Sequence, residues 1–223
     1  AGPAHVLAGV SRTKSAAGMG TVSVHRKLRG PSGAHFAAES ACCAAPCQGA
    51  GDPGKTALLM CNLYSMTKSR EAAVAYTRAM RDRTGNQPPL PAIFPDMMAP
   101  VVGTSKDGVR EMAMMRWGLP PAGGGKRPVT NVRNLSSNYW RGWLDQPRFR
   151  CVVPVTSFVE YTDSAPKVAH WFGLGDDRPL FCFAGIWRPW SGVRGKEDGT
   201  HLLYAILTTE PNELIKPIHA EAM

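Results

Sequence analysis

The sequence predicts an α+β domain: a β-rich, barrel-like sheet with peripheral helices. Two observations carry this. From residue 100 onward, short runs of β-branched, aromatic and aliphatic residues recur, each bounded by Gly, Pro, Asp or Ser. Helical patterning is confined to a few short segments, and no internal repeat is evident, so helices serve the periphery of a sheet.

In chain order, Ser65 to Ser69 supplies N-cap candidates for a helix over 69–84. Ala73, Tyr76, Thr77 and Met80 fall at helical spacing on one face, and Gly85 suits the stop. Gln87 to Pro100 holds Pro88, Pro89, Pro91, Pro95 and Pro100, which predicts a loop. Strands are predicted at Pro100–Thr104, Glu111–Trp117, Phe149–Val155, Phe158–Thr162, His170–Leu174, Phe181–Trp187 and Leu202–Thr209. A short helix is predicted at Asn138–Leu144, and another is expected to start near Pro211.

The 223 residues suit one domain with an appendage, and a hydrophobic fraction of 43% suffices for a sizeable core. The formal charge of +9 fits a polyanionic partner without requiring one. Cys42, Cys43, Cys47, Cys61, Cys151 and Cys182 lack both disulfide-scaffold spacing and any Cys-x-x-Cys pair, so free thiols in a reducing cytoplasm are expected and no metal is. No apolar run is long enough to span a membrane.

Residues 1–59 differ in texture. They are rich in Ala, Gly and Ser, carry six cations against only Glu39 and Asp52, and show no sustained period. They read as a disordered leader: either a transit peptide or, preferably, upstream frame translated ahead of a true start at Met60. The chain begins at Ala1 and stops at Met223, which suggests a fragment or a translation past its natural limits.

Five groups of residues could carry chemistry. If Met60 initiates and is removed, Cys61 becomes a 1,2-aminothiol. Its amine (reference pKa about 7.7–8.0) and its thiol (about 8.5) are both partly nucleophilic near neutrality. Such a pair turns an aldehyde into a Schiff base and then a thiazolidine. Alone, Met60-Cys61 reads more simply as a buried structural cysteine. Asn131-Val132-Arg133 follows a Gly-rich loop; Asn can orient an amine or sugar oxygen and Arg can grip a phosphate, though a solvated loop explains them too. Glu160 sits among apolar and aromatic neighbours, as an acid–base carboxyl would, or faces outward from a strand. His219 matters only if it meets Cys61 and Glu160 in space. Arg116-Trp117, Trp140-Arg141-Gly142-Trp143 and Trp187-Arg188-Pro189-Trp190 interleave bases with aromatics, as single-strand binders do; core Trp with Arg at its rim is the alternative.

In this order the pieces are specific. Met-Cys, Arg-Trp-Gly, Asn-x-Arg, Arg-Cys-x-x-Pro…Phe-x-Glu, Phe-x-Gly-x-Trp, Thr-Thr and a final His resemble the SOS-response-associated peptidase (SRAP) family from Met60 to Met223. The resemblance implies a β-rich SRAP domain that holds single-stranded DNA in a basic channel and captures abasic sites through an N-terminal cysteine. It implies Cys61 as nucleophile, Asn131 positioning amine and sugar, Glu160 as the acid–base, and His219 assisting sugar opening and reversal. Arg116, Trp117 and Arg133 would then be DNA-binding. Many members continue Cys-Gly-Arg, whereas here Leu63 stands where a phosphate-contacting Arg would be. The family also continues past Met223 into a further strand, so the domain is expected to be truncated at its C-terminus. The expectations are therefore a cofactor-free monomer in the cytoplasm, associated with the nucleoid, with autoproteolytic exposure of Cys61. The rivals are a cysteine peptidase acting on peptides through Cys61, His219 and Asn131, and a non-covalent single-strand-binding module.

Overall fold

The computed structural model describes residues 61–125 and 127–220, together with three short upstream strands, β1 (Ala8–Ser11), β2 (Ser23–Arg26) and β3 (Ala37–Ser40). The reading of residues 1–59 as a disordered leader otherwise lies outside the described residues, as do Met60 and residues 221–223.

Five strands close a barrel. β7 (Met98–Thr104) pairs antiparallel with β8 (Arg110–Trp117) and with β10 (Arg150–Val155). β10 pairs with β13 (Phe181–Arg194), and β13 with β14 (Glu197–Leu207). β14 then runs parallel to β8, matching Leu203 with Arg116, and the ring is shut. Closure removes the edges that an open sheet would leave unpaired. The predicted barrel-like sheet is thus observed, and each strand expected after residue 100 is present.

Gly185, the glycine of Phe-x-Gly-x-Trp, shows why that spacing matters. A Cβ there would stand 2.9 Å from both the Ala205 carbonyl oxygen and the Cys151 sulfur, so no larger residue lets β13 lie this close to its neighbours.

A second sheet carries β4 (Tyr64–Met66), β6 (Leu90–Ile93), β11 (Ser157–Tyr161) and β12 (Ala169–Gly173) in the order β12-β11-β4-β6. The segment expected to be all loop therefore contains a strand. Pro91 is tolerated because β6 is an edge strand, where a missing N–H breaks no ladder.

The first helix, α1 (Arg70–Thr77), is shorter than expected. Ser69 caps it by accepting from the Ala72 N–H at 3.2 Å, and Arg78, not Gly85, takes the left-handed stop at φ 53°. The chain must turn there because Arg81–Asp82 forms β5 beside β8. Only Ala73 and Thr77 of the expected face are buried; Tyr76 and Met80 are exposed. The second helix, α2 (Asn138–Leu144), matches its expected bounds. Among the described residues, no helix follows Pro211. Residues 213–218 make successive turns, started by the Asn212 carboxamide oxygen accepting from the Leu214 and Ile215 N–H groups. Pro217 offers no N–H with which to continue them.

Trp117 anchors the core. Tyr64 meets its ring edge-on at 5.0 Å, Tyr204 stacks at 6.4 Å, and its indole N–H donates to the Thr130 carbonyl at 3.0 Å. It was expected to border DNA beside Arg116. Strand alternation sends the two side chains to opposite faces, so Arg116 looks outward and Trp117 is fully buried, with no face for a base to stack on.

Candidate active site

Cys61 precedes β4 by three residues and lies at 5% exposure against the barrel. Two strands address it. The first is β9 (Asn131–Val132), which runs parallel to the end of β14 and pairs Asn131 with Ile206. Alternation turns Asn131 toward Cys61, and its side-chain amide donates to the Cys61 backbone carbonyl at 2.7 Å and to Thr130 Oγ1 at 3.2 Å. The second is β11, held in register by the Val159 N–H donating to the Leu63 carbonyl at 2.9 Å. The next residue on β11 is Glu160, fully buried.

Burial pushes the Glu160 carboxyl up to about 8, the nearby Asp163 charge adds to this, and the backbone N–H of Cys61 opposes it. That N–H faces the carboxyl without completing a well-formed hydrogen bond, and neither carboxyl oxygen has a partner. The Cys61 thiol is pushed far above its usual range, first by burial and then by the Glu160 charge, against backbone contacts at Leu63, whose carbonyl lies 3.7 Å from the sulfur, and at Val159.

His219 is buried at the end of the final turns, where its backbone N–H donates to the Ile215 carbonyl at 2.9 Å. Its Nδ1 meets Asp163 Oδ1 at 2.9 Å, while Asp163 Oδ2 accepts from the Ala220 N–H at 3.0 Å. Those contacts, the Ala220 N–H foremost, lower the Asp163 pKa. The pair fixes the imidazole with Nε2 buried and without a partner.

A cavity of about 170 Å3 opens beside Cys61 and Asn131, lined also by Phe158, Cys182, Thr208 and Thr209; Glu160 and His219 lie outside its lining. It resembles in size a cavity of roughly 150 Å3 that holds benzene, so it suits a group as large as one sugar. Larger hollows of about 230, 340 and 540 Å3 lie elsewhere; Cys151 lines the first, and no cysteine or histidine lines the other two, which lie around Trp187 and Thr104–Lys106. Buried polar side-chain atoms without partners decide between these places. Among the described residues there are seven, and five belong to Asn131 (Oδ1), Glu160 (both oxygens), Thr208 (Oγ1) and His219 (Nε2). Leaving such atoms unpaired costs stability; two of the five, on Asn131 and Thr208, belong to residues that line the cavity beside Cys61, which suits it to a polar ligand.

The structure therefore brings together Cys61, Asn131 and Glu160, and reaches His219 through Asp163. Arg133, exposed one residue beyond β9, stands at the rim. Arg116 is engaged by Asp96 and Glu197, the latter at 3.0 Å. Asp163 was not anticipated: an acid three residues after Glu160 in a turn carries no local signal. Thr208 was visible only as half of the Thr-Thr pair. Among the described residues, no cluster of three or more His, Cys, Asp or Glu side chains is placed to hold a metal ion, and no helix is long and apolar enough to cross a membrane.

The chain is 32% identical over 120 residues to the abasic site processing protein YoaM of Bacillus subtilis, covering 48% of this chain and 49% of that protein. It is 30% identical over 118 residues to abasic site processing protein YoqW of the same organism, covering 48% and 50%. The chain thus spans about half the length of the curated relatives it matches. Among solved structures, a phage-related protein of Bordetella bronchiseptica superposes with a TM-score of 0.52 at 21% identity, over 67% of this chain and 70% of that one. A protein of Bacteroides thetaiotaomicron superposes at 0.50 with 20% identity, over 73% and 75%. These two likenesses speak for the fold alone. The family model described as SOS response associated peptidase matches residues 60–222, and the chain belongs to that family.

Proposed function

We propose that this chain processes abasic sites by capturing them covalently in single-stranded DNA, through Cys61 exposed as an N-terminal residue. One observation carries the reading. The polar groups of the site address the backbone of Cys61, not its sulfur: Asn131 holds the carbonyl and Glu160 faces the nitrogen. In a chain beginning at Cys61 that nitrogen is the α-amine. The printed names of the Bacillus relatives, abasic site processing proteins, fit the same reading.

The order of steps follows from the charges. The buried thiol beside Glu160 resists ionisation, so the amine attacks first. It adds to the C1 aldehyde of the ring-opened sugar. Glu160, protonated over much of the neutral range, gives its proton to the departing hydroxyl; water leaves, the nitrogen returns a proton to the Glu160 carboxylate, and an imine forms. The sulfur then adds to the imine carbon, and its proton passes to the nitrogen. A thiazolidine results, with one water released overall. His219, oriented by Asp163, offers Nε2 to the sugar ring oxygen for opening and for reversal. The unpaired Asn131 Oδ1 and Thr208 Oγ1 receive sugar hydroxyls, and Arg133 and Arg116 hold backbone phosphate. Release of residues ahead of Cys61 consumes one water at the Met60 carbonyl and frees the amine. The raised thiol pKa speaks against a thiolate peptidase acting on peptides in trans.

The test is to incubate the full chain with single-stranded and fully paired DNA, each carrying one abasic site, at matched salt. Faster formation of a denaturation-resistant adduct on the single strand, by molecules whose sequenced N-terminus is Cys61, is expected. Equal capture from duplex, or adduct on chains still carrying Met60, contradicts the proposal.

A further inference from the structure

Two aromatic stretches take no part in this chemistry: helix α2 and the Trp187-Arg188-Pro189-Trp190 segment of β13. The fold joins them. The Arg188 guanidinium lies 4.7 Å over the Trp143 ring, and Trp143 and Trp190 pack against one buried cluster rooted on Trp140 and Ile186. Tyr139 meets Trp140 edge-on at 4.5 Å and Trp143 at 5.3 Å. This surface faces outward. Tyr139 is 36% exposed, Arg141 and Gly142 are exposed, and nothing lies within 4 Å of where a Gly142 Cβ would stand.

The platform shares its supports with the site. On β9, Asn131 reaches Cys61 while Val132 packs into the cluster beneath α2, and Arg133 emerges next. On β14, Leu207 packs against that same cluster and the following residue, Thr208, lines the cavity. Charge points the same way. From Trp117 to Leu144 the chain carries Lys126, Arg127, Arg133 and Arg141 and no acid, whereas the preceding Arg116 is paired with Asp96 and Glu197; Asp145 at the end of α2 is the first acid. Aromatic rings with guanidinium groups on an acid-free stretch complement a polyanion whose flat bases are unpaired, which is single-stranded nucleic acid; a duplex hides those faces.

We infer that α2 and the facing part of β13 form a stacking platform for the strand that flanks the captured nucleotide, contacting bases outside the Cys61 cavity. The inference rests on the reading of this chain as a single-strand binder.

Equilibrium binding of the full chain to undamaged single strands tests it, using oligonucleotides of about 4 and about 16 nucleotides, the span of one small binding domain. Tyr139→Ala and Arg188→Ala should each weaken binding of the longer strand by at least about fivefold, the lower bound for losing one stacked base, and leave the shorter unchanged. Tyr139→Phe, which loses only the hydroxyl bond to the Pro120 carbonyl, should retain affinity. Arg188→Lys keeps the charge and the salt dependence but lacks the planar stack, so it should weaken the longer strand. Unchanged affinity in Tyr139→Ala and Arg188→Ala, or equal loss on both lengths, overturns the platform. Failure of the wild-type chain to bind either length overturns the underlying reading as well.

Discussion

The side-chain amide of Asn131 donates to the backbone carbonyl of Cys61 at 2.7 Å, so the strand that carries Asn131 fixes where the Cys61 backbone sits. Asn131→Ala strands that carbonyl in a buried place. We expect a loss of about 1–3 kcal/mol in a urea titration, the cost of one unsatisfied buried group, together with slower capture. Unchanged stability and rate would show that the bond positions nothing.

Glu160 makes stability depend on pH in a stated direction. Its carboxyl titrates near 8 in the folded chain and near 4.3 when unfolded, so the folded state holds its proton more tightly. Burial of this group adds no pH-dependent cost below the unfolded value. The cost grows as pH rises between the two values and is complete above the folded one. Glu160→Gln removes that dependence. The variant's melting temperature should gain on the wild type between about pH 5 and pH 9, while capture slows by about 10²- to 10⁴-fold, the usual contribution of a positioned acid or base. Parallel pH curves would return Glu160 to a purely structural role.

Asp163 is half exposed yet holds a buried imidazole. Asp163→Asn keeps the size but loses the charge that orients the Nδ1 proton of His219. Both opening of the closed-ring sugar and reversal of the adduct should slow, by less than the loss in His219→Ala. Pre-opened aldehyde should be captured at nearly the wild-type rate. A uniform loss on both substrates would place Asp163 in folding instead.

Thr208 separates binding from stability. Its Oγ1 is buried without a partner, so Thr208→Val should leave the free protein as stable or slightly more so. The same change should raise the concentration of abasic strand needed for half-maximal capture. A destabilised variant with normal capture would contradict the assignment of Thr208 to the sugar.

The strands were legible because they are apolar runs punctuated by turn residues: β8 alternates in burial over Ala113–Trp117, while β10 and the second-sheet strand β11 are buried along most of their length. The elements misread are those where partners override local signals. Pro91 lies in a strand because that strand is an edge, and α1 stops at Arg78 because β5 must reach β8. In the site, Cys61, Asn131 and Glu160 were legible through the order of motifs, since no single one is specific. Asp163 was hidden because its role comes from a turn that returns the chain from residue 219, a contact of high sequence separation. Trp117 shows the opposite error: adjacency to Arg116 in sequence is separation across a strand in space.

The central claim is that residue 61 joins the DNA through both its nitrogen and its sulfur. Peptide mapping by mass spectrometry after capture of an abasic single strand tests it directly. The account predicts one adduct on the peptide that begins at Cys61, with the mass of its two components less one water, no longer alkylatable at that sulfur, and absent in Cys61→Ala. An adduct on any other residue, or an undiminished stable adduct in Cys61→Ala, would contradict it.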